Sequence, residues 1–158
     1  MADIILRRAA PSDARLVLDL IQAAFAEYRG KLKPESGAYG ETPEGLAAQL
    51  VGRQGALIAE RDGEAVGCVL FRDEGEDLYF GRLSVLPEHR RAGVAEALVA
   101  AVEDEARARG ASGVLLGVRI ALTGNQRLFA RLGYVEISRE AHPGFSEPTS
   151  INMRKALQ

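Results

Sequence analysis

Apolar residues recur along the chain at two spacings, and these spacings divide it into predicted helices and strands. Leu16, Leu20 and Ala24 recur at the spacing of one face of a helix. We predict four helices from this pattern, over about residues 12–30, 42–50, 92–109 and 125–132. Ser12 is the predicted cap of the first helix, and Gly30 is predicted to end it.

Short runs rich in branched and aromatic residues predict strands between the helices. Asp62-Gly63 joins two of these runs and is a strong hairpin signal. The predicted strands cover residues 4–6, 56–60, 64–71, 77–85, 114–118, 134–138 and 149–154. The order βααβββαβαββ indicates one α/β domain over residues 1–158, with a sheet of mixed strand direction.

The predicted strand over residues 77–85 contains an irregularity. Its apolar residues fall at Leu78 and Phe80 and then at Leu83 and Val85, so the alternation changes phase around Gly81-Arg82. One extra residue, a β-bulge, produces such a change, and glycine is a common marker of a bulge. A strand that is buried on both faces explains the same pattern equally well.

A strand, a proline and a turn of small residues precede the third predicted helix. Pro87 lacks a backbone donor and stops the strand ladder. The first amides of a helix have no partner within it, so they point outward at the positive end of the helix dipole and favour an anion. Gly93 would let a phosphate approach the backbone closely. The residues expected at this anion site are Arg90, Arg91, Ala92, Gly93, Val94 and Ala95. The alternative is an ordinary turn with two solvated arginines.

Composition narrows the classes of partner. The chain has 158 residues, a formal net charge of −2, 47% apolar residues and no long basic run. Binding to nucleic acid needs a basic footprint, so that class is excluded, and no apolar run is long enough to span a bilayer. Cys68, the single cysteine, lies in an apolar run, where we expect a buried packing residue. One cysteine fits a reducing, cytoplasmic location, and we predict no metal.

Several motifs in order resemble those of the GNAT superfamily of N-acetyltransferases, and the resemblance covers most of the chain. The pyrophosphate motif of the family is matched by Arg90, Gly93 and Ala95. The other motif positions that match are Leu83, Val85, Pro87, Arg8-Ala9, Asp13-Ala14, Asn125 and Leu132-Gly133-Tyr134. The resemblance implies a mixed, mostly antiparallel central sheet of about seven strands with helices on both faces.

The same resemblance implies how acetyl-coenzyme A would bind. Backbone groups of Leu83 and Val85 would pair with the pantetheine arm, and the amides of residues 91–95 would hold the pyrophosphate. Asn125 and Phe129 would contact the coenzyme arm. The family commonly has a bulge in this strand, and the bulge separates the strand from its neighbour. The resemblance therefore favours a bulge at Gly81-Arg82.

The catalytic step is where the sequence departs from the family. Many members carry a tyrosine that protonates the departing thiolate, and Phe129 stands at that position. Tyr134 is expected to be a packing residue and not the acid. The thiolate would then leave unassisted, or water or another residue would protonate it. The backbone N–H of Leu83 is the candidate oxyanion donor. The candidate bases are Glu41, His142 and Tyr79, with Asp77 a weaker one.

By analogy with the family, the acceptor binds between two loops, over residues 29–42 and 139–147. The side chains that these loops would supply are Glu35, Ser36, Tyr39, Glu41, His142, Phe145 and Glu147. Their carboxylates and aromatic rings suit a small cationic amine. The leading hypothesis is therefore an acetyl-coenzyme-A-dependent N-acetyltransferase of a small molecule. The alternatives are a non-catalytic acyl-coenzyme-A-binding or sensory domain and an unrelated nucleotide-binding module. A homodimer could form by pairing of the C-terminal strand.

Overall fold

The computed structural model describes residues 3–157, which form a seven-stranded sheet in the order β1-β2-β3-β4-β5-β7-β6. Neighbouring strands run antiparallel, except that β4 and β5 run parallel. The mostly antiparallel sheet is therefore confirmed. The strands are β1 (Ile5–Arg8), β2 (Gly55–Arg61), β3 (Glu64–Glu74), β4 (Asp77–Val85), β5 (Gly113–Arg119), β6 (Val135–Glu140) and β7 (Ser150–Ala156).

Helices cover both faces of this sheet. The described helices are α1 (Ala14–Phe25), α2 (Pro43–Ala48), α3 (Val94–Ala108) and α4 (Thr123–Arg131). Helices α3 and α4 bury their apolar residues on one face of the sheet, in a cluster that includes Phe80 and Leu116. Helices α1 and α2 bury theirs on the other face, against residues such as Ile58 and Cys68. No helix within residues 3–157 is long and apolar enough to cross a membrane.

Strands β4 and β5 pair over a short stretch and then separate. Residues 78–80 of β4 pair with residues 114–116 of β5, and beyond these residues the two described strands no longer pair with each other. Along its other edge β4 carries the bulge that the sequence predicted. Because Gly81 pairs with Leu70 and Ser84 with Cys68, residues 82 and 83 together face one residue of β3.

The bulge lies one residue later than predicted. Gly81 keeps a regular partner, and Arg82 takes the left-handed conformation, with φ 53°. A side chain in this region costs on the order of 1 kcal/mol, and such strain gathers at functional sites. Gly81 was the visible signal, but its small size is needed for another reason: a β-carbon there would lie 3.2 Å from the ring of Tyr79.

Three other predicted boundaries are wrong. Asp13, not Ser12, satisfies the start of the first helical segment, because its carboxylate accepts a hydrogen bond from the Ala10 amide at 2.8 Å. Helix α1 ends at Phe25, and a short 3₁₀ turn over Ala26–Tyr28 fills the rest of the predicted helix. The third predicted helix begins at residue 94, not 92, because the preceding glycine is left-handed.

The last strand is not an edge. Strand β7 pairs with β5 on one side and with β6 on the other, so the prediction that it pairs across a homodimer is wrong. Strand β6 is the edge on that side of the described sheet.

Two expected packing residues are buried. Cys68 has no exposed surface, and burial raises the pKa of its thiol to about 12, so the thiol stays neutral. Tyr134 is 2% exposed and donates a hydrogen bond to Glu103 Oε2 at 2.9 Å. Lys155 Nζ lies 3.1 Å from Glu103 Oε1, which completes a small polar network beneath α3.

Candidate active site

A cleft of about 990 Å³ opens where β4 and β5 separate. Its walls come from the bulged half of β4, the end of β5, and the first turns of α3 and α4. The 3₁₀ segment over Gly37–Gly40 begins at one rim, where Gly37 lines the cleft. His142, from the loop between β6 and β7, lines it as well. The cleft therefore passes beside the unpaired backbone of β4 from the α3 side of the sheet to the loop side.

The start of α3 forms one end of the cleft. Gly93 and Arg91 both have positive φ, at 84° and 61°, which turns the chain sharply into the helix. Within residues 3–157, the amides of residues 91–96 donate to no protein acceptor, and the first bond of the helix runs from the Ala97 amide to Gly93 O at 3.0 Å. These free N–H groups lie at the positive end of the helix dipole, so the arrangement can hold an anion such as a pyrophosphate.

Arg90 fastens this turn to the rest of the protein. Its Nε donates to Val85 O at 3.3 Å, and its Nη2 donates to Ala24 O at 3.1 Å. Its Nη1 lies 2.8 Å from a carboxylate oxygen of Glu27. One guanidinium group thus joins β4, the end of α1 and the following turn. Arg90 therefore holds the turn before α3 in place, while Arg91 is exposed beside the free amides.

Phe129 and Asn125 come from α4 and line the middle of the cleft. Phe129 is 6% exposed and packs edge-to-face on Phe80, with ring centroids 5.9 Å apart. Tyr28 lines the same wall, where burial, and then Glu27, raise the pKa of its phenol, while Asn125 at the hydroxyl lowers it. The phenol of Tyr28 therefore keeps its proton at neutral pH.

Tyr79 lies across the opening between the two strands. A β-carbon on Gly117 of β5 would lie 3.5 Å from its hydroxyl, and one on Gly81 would lie 3.2 Å from its ring. Arg72 stacks on the other side of this ring, 4.1 Å from its centroid. Gly81, Gly117 and Arg72 therefore surround the side chain of Tyr79, which lies on the face of the sheet opposite Phe80.

His142 stands at the loop end of the cleft. Its Nδ1 contacts Thr149 Oγ1, and its backbone amide donates to the same oxygen at 3.0 Å. Burial, and then the charge of Arg119, lower the pKa of the imidazole below its usual value of 6.5. The ring is therefore neutral at pH 7, and contact with Thr149 leaves Nε2 as the nitrogen that can take a proton.

Arg82 and Arg119, which were not predicted as site residues, also line the cleft at the loop end. Arg82 Nη2 lies 3.4 Å from Glu41 Oε1, which gives Glu41 a partner. Arg119 donates to two backbone oxygens, Pro34 O at 2.8 Å and Glu35 O at 3.2 Å. Neither arginine belongs to a motif, although the left-handed conformation of Arg82 follows from the bulge that the alternation of residues revealed.

A family model for the GNAT acetyltransferases matches residues 17–134, which is well over half of the chain. The chain belongs to the GNAT family. A search of curated protein sequences gave no match.

Solved structures of GNAT proteins share the fold over nearly the whole chain. PaiA N-acetyltransferase from Thermoplasma acidophilum, in complex with coenzyme A, is 17% identical with a TM-score of 0.81, over 98% of this chain and 99% of that one. The ribosomal-protein-S18-alanine N-acetyltransferase of Escherichia coli is 18% identical, with a TM-score of 0.79 over 98% and 94%. A GCN5-related N-acetyltransferase from Rhodopseudomonas palustris is 26% identical, with a TM-score of 0.79 over 99% and 98%.

The cleft of this GNAT chain brings most of the predicted site residues together. The predicted site residues that line it are Glu35, Ser36, Glu41, Tyr79, Leu83, Val85, Arg90, Arg91, Val94, Ala95, Asn125, Phe129 and His142. Ala92 and Gly93 do not line it, because they form the tight turn behind the first amides of α3. Within residues 3–157, no cluster of three His, Cys, Asp or Glu side chains could hold a metal ion.

Four expected acceptor or base residues lie elsewhere. Tyr39 is used for structure, since its hydroxyl donates to Phe25 O and its ring stacks on Arg29. Asp77 forms a bidentate ion pair with Arg154, with both contacts at 2.9 Å. Phe145 and Glu147 are exposed in the loop and do not line the cleft.

Proposed function

We propose that this GNAT protein is an N-acetyltransferase that moves an acetyl group directly from acetyl-coenzyme A to the amine of a small molecule. The observation that carries the proposal is the set of free amides at the start of α3, where Arg91 and residues 94–96 line the same cleft as the free edge of β4. An anion and an extended arm can thus be held in one continuous site. The coenzyme bound in the Thermoplasma relative supports this interpretation.

The chain has the parts that the coenzyme would need. The amides at the start of α3 would hold the pyrophosphate, and a β-carbon on Gly93 would have nothing within 4 Å, so the turn is open on that side. Backbone groups of Leu83 and Val85 would pair with the pantetheine arm as a further strand does, because β5 has left that edge of β4 free. Asn125 and Phe129 would flank the arm from α4.

The loop end of the cleft would hold the amine. The neutral imidazole of His142 is the base that fits best, because its Nε2 can take a proton from an ammonium group, either directly or through water. Glu41 is less suited, since its carboxylate already faces Arg82. The amine then attacks the thioester carbonyl, and the backbone N–H of Leu83, on the bulge, would donate to the developing oxyanion.

The sulfur of coenzyme A leaves either as a thiolate or with a proton from a neighbouring acid. Phe129 cannot supply one, but Tyr28 and Tyr79 are tyrosines that line the cleft. Tyr79 belongs to the stretch of β4 that still pairs with β5, just before the two strands separate, and is the candidate that we prefer. Its role changes in this proposal from a candidate base to a candidate acid.

The same missing tyrosine supports a second candidate, a domain that binds acyl-coenzyme A without turnover. The two candidates differ in one experiment. Purified protein is titrated with acetyl-coenzyme A by calorimetry and then assayed for release of free thiol with a panel of amines, amino acids and peptides. Thiol release that depends on an amine supports the enzyme, and binding without release on any amine supports the idle domain. If acetyl-coenzyme A does not bind, both are wrong.

A further inference from the structure

Two arginine side chains converge on one short segment at the loop end of the cleft. Arg119 donates to the backbone oxygens of Pro34 and Glu35. Arg82 lies against Gly37, where a β-carbon would be 2.9 Å from its Nη2. The two guanidinium groups come from different strands, β4 and β5, and meet over residues 34–37. They therefore lie on the two sides of the opening through which the acceptor would reach the thioester.

The positive charge of Arg119 has no direct anionic partner within the described residues. Its hydrogen bonds go to carbonyl oxygens, which accept but carry no charge. The carboxylate of Glu35 turns away and accepts a hydrogen bond from the Gly30 amide at 2.5 Å. Arg82 is positive as well, and after the larger effect of burial its repulsion lowers the pKa of Arg119, while the charge of Glu35 partly offsets this without a direct contact.

Arg82 is only partly compensated. It has one contact with Glu41, at 3.4 Å, where a bidentate pair would have two shorter ones. Glu140, another carboxylate that lines this end, lies on the exposed edge strand β6. An anion placed between Arg82 and Arg119 would meet two planar forks with unused N–H groups, the geometry that suits a carboxylate.

We propose that Arg82 and Arg119 bind a carboxylate of the acceptor, so that the substrate is an amino acid whose own amine is acetylated. This rests on the proposed transferase function and replaces the small cationic amine expected from the sequence. With its carboxylate between the two arginines, the amine of the acceptor would lie on the side of His142, whose imidazole senses the charge of Arg119 and lines the same cleft. The acetyl group leaves the thioester sulfur and forms an amide with the amine nitrogen. The amine gives up one proton, and the released thiolate takes one.

The first test needs no variant. Each α-amino acid is compared with its own primary amide as an acceptor for the wild-type protein, because the pair hardly differs in shape, and kcat/KM is expressed per concentration of unprotonated amine, because the amine of the amide is less basic. We expect kcat/KM for the best acid to exceed that for its amide by about tenfold or more, the effect of a hydrogen-bonded charge. Equal kcat/KM for acid and amide would overturn the inference, while the transferase function would stand.

Two variants then locate the effect. Arg82→Gln and Arg119→Gln should raise KM for the acid about tenfold or more and leave KM for the amide and for acetyl-coenzyme A unchanged. Arg15→Gln, on the exposed outer side of α1, is the matched control. Arg119 also holds the loop, so melting temperatures accompany the kinetics. If KM rises alike for the acid and for the amide in both variants, the arginines support only the loop and the inference is wrong.

A binding measurement separates this inference from the proposed function. The best-bound acid and its amide are titrated by calorimetry into the protein saturated with coenzyme A, which cannot react. Selective binding of the acid, lost in Arg82→Gln, supports the carboxylate site whether or not turnover is seen. Equal or absent binding of both compounds counts against it.

Discussion

A β-carbon on Gly37 would lie 2.9 Å from Nη2 of Arg82, which is closer than two such atoms can pack. The glycine leaves room for the guanidinium group, and the bulge of β4 delivers that group from the other wall. The φ of Gly37 is not positive, so glycine is needed here for its small size and not for its conformational freedom.

Gly37→Ala should therefore move the head of Arg82 without unfolding the protein. The group in the way is the far end of a flexible side chain, so we expect a change in stability within about 0.5 kcal/mol. The KM for the acceptor should rise about 3- to 10-fold, and the KM for acetyl-coenzyme A should not change. Steady-state kinetics and thermal melting measure both effects.

Gly40→Ala provides the control for that variant. Gly40 ends the same 3₁₀ turn, and a β-carbon there would meet nothing within 4 Å. Kinetics that match the wild type are expected from it. Equal effects of the two alanines would mean that the turn, and not Arg82, governs the acceptor KM.

Gly93→Glu should abolish binding of acetyl-coenzyme A. The change forces a side chain into the left-handed region at φ 84° and adds a negative charge beside the free amides at the start of α3. We expect the dissociation constant to rise at least about 100-fold, since an anion there repels the pyrophosphate. Calorimetry measures the affinity.

Gly110→Glu is the control for the position of the substitution. Gly110 follows the other end of α3, with φ 74° and nothing within 4 Å of a β-carbon, so the same substitution strains the backbone in the same way far from the cleft. Retained affinity in this variant and lost affinity in Gly93→Glu would place the anion at the start of α3. Retained affinity in both would show that the site is misplaced.

The pH profile of kcat/KM should reveal His142. A base must be deprotonated to act, and the pKa of this imidazole lies below 6.5. Activity should therefore be complete at neutral pH and fall as the pH drops below 6.5 through that pKa. His142→Gln should lower kcat/KM by about 10²–10⁴-fold and remove this acid limb. An unchanged profile in His142→Gln would exclude the imidazole as the base.

Asp77→Asn should destabilise the protein and leave the kinetics per folded molecule unchanged. The paired guanidinium of Arg154 holds the pKa of Asp77 below its usual value of 3.8. The ion pair thus stabilises the fold above pH 3.8, and this stabilisation is lost as the pH falls through the pKa of the folded state. We expect a loss of about 1–2 kcal/mol at pH 7 from urea titrations, given that the pair is partly exposed.

The exposed pair of Glu136 and Arg139 is the control for Asp77. Glu136→Gln breaks an ion pair of similar geometry on the edge strand β6, where both side chains are about half exposed. Its effect on the free energy of unfolding at pH 7 should be much smaller than that of Asp77→Asn, because solvent screens an exposed pair. A difference between Asp77→Asn and wild type that persists at pH 2 would point to packing and not to charge.

Local patterns predicted the parts of the site that depend on neighbours in sequence. The hairpin at Asp62-Gly63 is confirmed, because a two-residue turn is decided by its own residues. The bulge followed from a change of phase within one strand. Gly93 was predicted at the anion site, and its positive φ turns the chain into α3, two residues after the predicted start of that helix.

The acceptor end could not be predicted in this way. Arg119 reaches Pro34 across a separation of 85 residues, and no periodicity joins a strand end to a loop. The first helix cap failed for a related reason. Ser12 and Asp13 are adjacent and equally suited by type, but Arg7 of the first strand contacts the Asp13 carboxylate at 2.9 Å, and this tertiary contact fixes which of them serves.

The separation of β4 from β5 leaves unpaired backbone donors and acceptors in the middle of a sheet. At an outer edge such groups invite strands of other chains and lead to aggregation. Here residues of α4 and of the two loops line the gap, which lies inside the sheet and not at its outer edge. The free edges of β4 and β5 are therefore less accessible to a strand of another chain than an outer edge is, although their backbone groups remain available to a ligand.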